Sequence, residues 1–208
     1  MPKVVSRRSA GGCVRGRHVI STPRLLFRSP TMTDSMAALA AASDAGAQRW
    51  LGWEPESVVP EPRRERLLDR RPRLRRPLLG WAPVRAPLLL VAIDPSNRAY
   101  AGMAAIQEVT PDGCQVGGSL SPDYRDRGLG AELFTAIYQL AHDHFGYAEV
   151  RAGTEPTNAA CIRSLQSAGF VLVAGSATHL LPDGRTVPAA WFARTDPNPV
   201  ICPAVQHR

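Results

Sequence analysis

Between Ser121 and Ala131 the chain reads Ser-Pro-Asp-Tyr-Arg-Asp-Arg-Gly-Leu-Gly-Ala, and an amphipathic helical pattern follows at once. A strand end, a tight glycine-bearing turn and a helix start, in that order, aim a row of backbone N–H groups at one spot. The first N–H groups of a helix have no partner inside it, and the helix dipole adds partial positive charge there. Such a spot suits an anion such as a pyrophosphate. Gly128 and Gly130 would let a phosphate approach the backbone with no Cβ in the way. Arg125 and Arg127 can add charge or face solvent. Asp123 and Asp126 are adverse neighbours for a phosphate and are expected to cap or to point outward. A pyrophosphate seat in mid-chain points to an enzyme that uses a phosphorylated cofactor.

Elsewhere the reactive residue types are scattered. Cys13, Cys114, Cys161 and Cys202 are far apart, and no Cys/His cluster has zinc spacing, so no metal is expected. Nothing suggests a disulfide framework, which fits a reducing, cytoplasmic compartment. The formal net charge is +7, almost all of it from arginine, with Lys3 the only lysine. That is not a lysine-rich nucleic-acid tail. It reads as a composition bias, or as attraction for acidic partners and cofactor phosphates. Arg63 to Arg76 is dense in arginine; a solvated helix face with a linker is one reading and an electropositive rim the other. Trp50 and Trp53 form an aromatic knot suited to the core or to a substrate cleft. No apolar run approaches a membrane span.

The elements that must position the turn follow from periodicity. Residues 1–18 read as a basic, disordered tail. Thr22 to Arg28 reads as a first strand. Thr33-Asp34 can cap a helix through Met36, Leu39 and Ala40 that ends near Gly46. Leu88–Ile93, Tyr100–Val109 and Cys114–Leu120 alternate with turn residues as an antiparallel meander that runs into the anion turn. Leu129 to Phe145 carries apolar residues at helical spacing and stops at Gly146. A strand from Tyr147 to Ala152 and a helix from Asn158 to Ala168 come next. Phe170 begins a strand continuing towards Leu181, and Pro182 to Arg185 turns it back into Val187–Ala193. Residues 196–208 read as a Pro-rich tail, leaving one domain over 19–195.

With these elements in order, Arg125-Asp-Arg-Gly-Leu-Gly130 resembles Arg/Gln-x-x-Gly-x-Gly/Ala, the acetyl-coenzyme A signature of the GNAT (Gcn5-related N-acetyltransferase) superfamily. Asn158 to Phe170 resembles that family's Asn-led helix ending in Gly-Phe. Thr22-Pro-Arg-Leu25 and the hairpin ending in Trp191 look like the branch containing ribosomal-protein alanine N-acetyltransferases. The resemblance covers roughly residues 20–195. It implies an α/β (α+β) fold with a mixed, mostly antiparallel sheet splayed in a V and flanked by helices. It further implies acetyl-CoA in the V. Gly118, Ser119 and Leu120 would align the acetyl and pantetheine, Arg125, Asp126, Arg127, Gly128, Leu129, Gly130 and Ala131 would hold the pyrophosphate, and Asn158 would contact the pantetheine arm.

The implied reaction is attack of a neutral primary amine on the thioester: a protein N-terminus, a peptide or a small amine. Leu165 stands where many members carry a proton-donating Tyr. Cys161 stands where the ribosomal-type branch often has Ser, so its thiol is a candidate proton donor, against a plain reading as a small buried helix residue. Glu149, in Glu-Val-Arg-Ala152, resembles a catalytic Glu of some ribosomal-type members and is the candidate base; a paired surface carboxylate is the plain reading. Glu108, Glu155, His142 and His179 are lesser candidates, and a base relayed by solvent needs no single residue. Leu165 and the lack of an obvious base also leave a non-catalytic acyl-CoA-binding regulatory module as an alternative. A homodimer is compatible with either. The chain's basicity disfavours a polycationic aminoglycoside acceptor.

Overall fold

The computed structural model describes residues 11–14, 17–31, 34, 44–52, 88–110 and 112–200. Trp53, the Arg63–Arg76 segment, the expected helix through Met36 and Ala40, and the ends 1–10 and 201–208 lie outside the described residues.

The strands are β1 (Gly11–Val14), β2 (Arg17–Ser21), β3 (Leu26–Arg28), β4 (Leu88–Ile93), β5 (Tyr100–Thr110), β6 (Gly113–Leu120), β7 (Glu149–Thr154), β8 (Val171–Val173), β9 (Thr178–Leu180), β10 (Thr186–Pro188) and β11 (Ala190–Thr195). The α-helices are α1 (Ala45–Leu51), α2 (Leu129–Asp143) and α3 (Ala159–Ser167). Nine strands form one sheet in the order β1-β2-β3-β4-β5-β6-β7-β11-β8, and β9 and β10 pair apart from it. Every described pairing is antiparallel except β6 with β7. This is the mixed, mostly antiparallel sheet that the resemblance implies.

The parallel pair is where the sheet opens. β6 meets β7 only at Gly113–Glu149, Cys114–Val150 and Gln115–Arg151. From Val116 to Leu120 β6 keeps its ladder with β5 alone. A parallel crossover must carry a helix, and here α2 supplies it. Its apolar stripe of Leu129, Leu133, Phe134, Ile137, Leu140 and Ala141 is buried against Phe27, Leu90, Ala104, Ile106 and Val150. Each such leucine contributes about 2 kcal/mol of burial. The core therefore fixes α2, and with it the turn at its start.

Two expectations need correcting. Of the expected tail over 1–18, residues 11–14 and 17–18 are strand instead: they lie in β1 and β2, which pair, and β2 continues the ladder onto β3. His18 is buried against His144 and Phe145 at the far end of α2, a distant packing partner that local polarity does not reveal. Gly46 itself stands inside α1, and the end of the helix expected before it lies outside the described residues. Asp44 caps α1 by accepting from Ala47 N–H, and Gly52, with φ 60°, closes it in the left-handed region. The strand begun after Phe170 stops at Val173, and β9 starts at Thr178 in the separate hairpin.

Candidate active site

Three braces hold the turn between β6 and α2. A single 3₁₀ turn, Pro122–Tyr124, leaves β6; the buried Tyr124 donates its hydroxyl to Asp94 Oδ2 at 3.2 Å, tying it to the β4–β5 turn. Arg24 donates to Glu132 Oε2 and to the carbonyl of Arg127, both at 2.8 Å. Glu132 also accepts from Thr22 Oγ1 and the Arg24 N–H. Burial raises the Glu132 carboxyl, but the Thr22 and Arg24 hydrogen bonds outweigh it and hold it below its ordinary value. Arg125 forms the third brace, with Nε donating to Leu120 O at 3.1 Å and Nη2 to Asp44 Oδ2 at 2.5 Å.

Within these braces the backbone is shaped for an anion. Asp126 (φ 57°) and Gly128 (φ 71°) both take the left-handed conformation. Asp tolerates it better than most residues, and Gly without penalty. No side chain caps α2. Among the described residues, no hydrogen bond outside the regular elements uses the N–H groups of Asp126, Arg127 or Gly128. A fifteen-residue helix therefore presents its N-terminal amides, and its dipole, without an internal acceptor. Asp126 and Arg127 are exposed, and the Arg127 guanidinium lies 5.7 Å from the Tyr124 ring centre.

The glycines divide by role. A Cβ on Gly128 would meet nothing closer than 3.9 Å, so φ alone requires glycine there. A Cβ on Gly130 would lie 2.4 Å from Ser164 Oγ, so that glycine serves the contact of α2 with α3. A Cβ on Gly118 would lie 2.6 Å from the Met103 carbonyl oxygen, so β6 can press close to β5 beside the opening. Ser119 and Leu120 complete the arm of β6 that β7 leaves unpaired.

The opposite arm is β7 and the start of α3. Asn158 caps α3, its Oδ1 accepting from Cys161 N–H at 3.1 Å. Cys161 is partly buried; burial raises its thiol above the ordinary value while a Thr154 hydrogen bond opposes the shift. Such a thiol is protonated at neutral pH. Leu165 is fully buried in the core. Glu149 opens β7 where the ladder with β6 is still closed, and its carboxylate pairs with Arg151. Glu149 and Cys161 thus stand towards opposite ends of β7, roughly 16 Å of strand apart, so they do not form one cluster.

Residues 24–171 match the family model described as "Acetyltransferase (GNAT) domain". The chain belongs to this acetyltransferase family. It is accordingly an acyltransferase with the GNAT fold. No curated protein matches the sequence. Among solved structures, a spermidine N-acetyltransferase from Vibrio cholerae in complex with CoA and spermine has a TM-score of 0.65 at 13% identity, covering 85% of this chain and 98% of its own. The RimL ribosomal L7/L12 alpha-N-protein acetyltransferase in complex with coenzyme A gives 0.64 at 14%, covering 85% and 97%. A GCN5-related N-acetyltransferase from Brucella melitensis gives 0.63 at 20%, covering 97% and 87%.

The GNAT cleft of this chain has its lesser candidate residues committed elsewhere. Glu155, 8% exposed, receives Arg49 Nη1 and Nη2 at 2.5 and 2.9 Å. Glu108 accepts from the Tyr147 hydroxyl, and His142 bonds Asp143 and the Asp196 carbonyl. His179 stands edge-on to Trp191. Among the described residues no group of three or more His, Cys, Asp or Glu is placed to hold a metal, and no helix is long and apolar enough to cross a membrane. Sequence reasoning missed α1 and its ion pairs, because their partners lie far apart in the chain. Asp44 ahead of Ala47 was the one local signal, an N-cap pattern.

Proposed function

We propose that the chain transfers an acetyl group from acetyl-CoA to a primary amine. The carrying observation is the uncapped N-terminus of α2, entered through left-handed Gly128 at the end of the turn that follows the strand β7 abandons. A pyrophosphate fits this seat: the amides from Asp126 to Ala131 would hold it, with no side chain of the turn competing for them. Asn158, whose Oδ1 is engaged by its own helix, keeps its amide N–H₂ for a pantetheine carbonyl. Beside it Gly118, Ser119 and Leu120 have no ladder partner on the β7 side, where the Leu120 carbonyl accepts from Arg125. Arg127 is exposed at the rim, and the coenzyme A complexes of the spermidine and RimL acetyltransferases support the choice of donor.

When bound, acetyl-CoA supplies an activated thioester carbonyl. The acceptor nitrogen forms a bond to that carbon, the carbon–sulfur bond breaks, one proton leaves nitrogen and one reaches sulfur. Unpaired N–H groups of β6 near Leu120 are the donors for charge developing on the carbonyl oxygen. Cys161, beside Asn158 and protonated at neutral pH, is the proton donor to sulfur. Glu149 lies two residues before the point where the strands part, about 7 Å of strand. It is the base, acting through solvent.

The acceptor is a peptide or small monoamine in this reading. The described buried carboxylates, Asp34 and Glu155, are each neutralised by an arginine, Arg28 and Arg49, leaving no buried anion for a polycation. Thiol release from acetyl-CoA over a panel of α-amine peptides, small monoamines, spermine and kanamycin tests this. Turnover with peptides or monoamines supports it; turnover with spermine or kanamycin alone sinks the acceptor class. No turnover with any amine, despite coenzyme A binding, would favour the regulatory module instead.

A further inference from the structure

Two ion pairs fasten the short helix α1 to both arms of the opening. At its N-terminal end, Arg125 Nη2 donates to Asp44 Oδ2, and the same oxygen caps the helix through Ala47 N–H at 2.8 Å. At its C-terminal end, Arg49 grips both oxygens of Glu155. Arg125 lies on the arm that leaves β6, and Glu155 is the first residue after β7. A helix of seven residues, roughly 10 Å long, thus joins the two arms.

Arg125 is the joint on the anion side. Its Nε reaches back to Leu120 O, the last carbonyl of the splayed strand, while Nη2 reaches Asp44. Its Nη1 occupies the space over the first turn of α1, where a Cβ on Gly46 would sit 2.6 Å away. The planar guanidinium offers donors in fixed, divergent directions, so one side chain can hold a strand end and a helix cap at once; lysine cannot. The Asp44 hydrogen bond to Arg125 also holds that carboxyl below its ordinary range, so the pair is charged at neutral pH. Gly46 is the sequence trace of this contact.

We propose that Arg125 is a positioning residue that couples occupation of the anion turn to the placement of α1, and is not itself a phosphate ligand. The inference rests on the turn being the coenzyme A seat. A ligand on the amides of Asp126 to Ala131 fixes the backbone that begins one residue after Arg125. Fixing that backbone fixes the guanidinium, and through Asp44 it steadies α1 and the mouth beside it. Donor binding then shapes the entrance for the amine.

Hydrogen exchange of the full chain, with coenzyme A as the probe and calorimetry alongside, tests the coupling. In the wild type, coenzyme A slows exchange of the amides of residues 44–52 by about fivefold or more. Arg125→Ala removes the joint, and Asp44→Ser keeps a cap but is too short to reach Arg125. Both variants are expected to bind coenzyme A within about threefold of the wild type and to lose the slowing in α1. Equal slowing in wild type and variants overturns the proposal. So does a loss of affinity of about tenfold or more in Arg125→Ala alone, which would make Arg125 a phosphate ligand. Failure of the wild type to bind coenzyme A in calorimetry overturns the underlying reading, and is distinct from binding without protection.

Discussion

Gly130 and Ser164 touch where α2 crosses α3: a Cβ on residue 130 would stand 2.4 Å from Ser164 Oγ and 3.1 Å from its Cβ. The second glycine of the phosphate motif is therefore a packing residue, and it sets how closely the anion-binding helix approaches the helix that carries Asn158 and Cys161. Gly130→Ala should force the helices apart, costing about 1–3 kcal/mol and weakening coenzyme A binding. Removing the hydroxyl in a Gly130→Ala/Ser164→Ala double variant should restore part of both. Thermal unfolding and calorimetry of the two variants check this; no recovery in the double variant would mean the contact is not the cause.

Gly128 answers to a different constraint. Its φ of 71° is the requirement, and the space around it is open. Gly128→Ala should destabilise by about 1–2 kcal/mol, and Gly128→Asn by less, since Asn visits this conformation more readily. Denaturant unfolding orders the three proteins; an alanine variant as stable as the wild type would contradict the strain.

Much of this site was legible in the sequence because its signals are local. The turn from Arg125 to Ala131, the helix start at Asn158 and the apolar stripe of α2 each sit within one short stretch. The role of Gly130 was not, because Ser164 is on another helix. The roles of Arg125, Arg24 and Glu155 were hidden for the same reason: their partners Asp44, Glu132 and Arg49 are distant in the chain. β1 and β2 were missed because such short strands carry little periodicity of their own and are held by pairing to each other and to β3 and by burial of His18 and Ile20.

Acid should weaken the fold through Asp34. Burial raises its carboxyl, but hydrogen bonds from Arg28 and Thr31 win and bring it from 3.8 down to about 2. Above the ordinary value the carboxylate is charged in both folded and unfolded chains, and its pairing is fully present. As pH falls towards the folded value, the unfolded chain takes up a proton that the folded one refuses, and stability declines. The Tm of the wild type should therefore drop between about pH 4 and 2, and Asp34→Asn should show a shallower drop over that window. An unchanged slope in the variant would remove Asp34 as the cause.

Cys161 should behave as a protected thiol. Its suppressed ionisation and partial burial predict alkylation by iodoacetamide at pH 7 more slowly than a free thiol, by about tenfold. Cys161→Ala should lower kcat with coenzyme A affinity retained, and Glu149→Gln should lower it by about tenfold or more. Full turnover in both variants would leave both proton transfers to solvent.

In the proposed reading the amides from Asp126 to Ala131 seat the pyrophosphate of coenzyme A. Calorimetric titration of coenzyme A into wild type and Gly128→Glu tests it most directly, with circular dichroism confirming that the variant is folded. Glutamate at 128 sets a negative charge and a strained backbone at the mouth of the seat, and the predicted result is wild-type binding with a loss of about a hundredfold or more in the variant. Equal binding by both proteins would contradict the account.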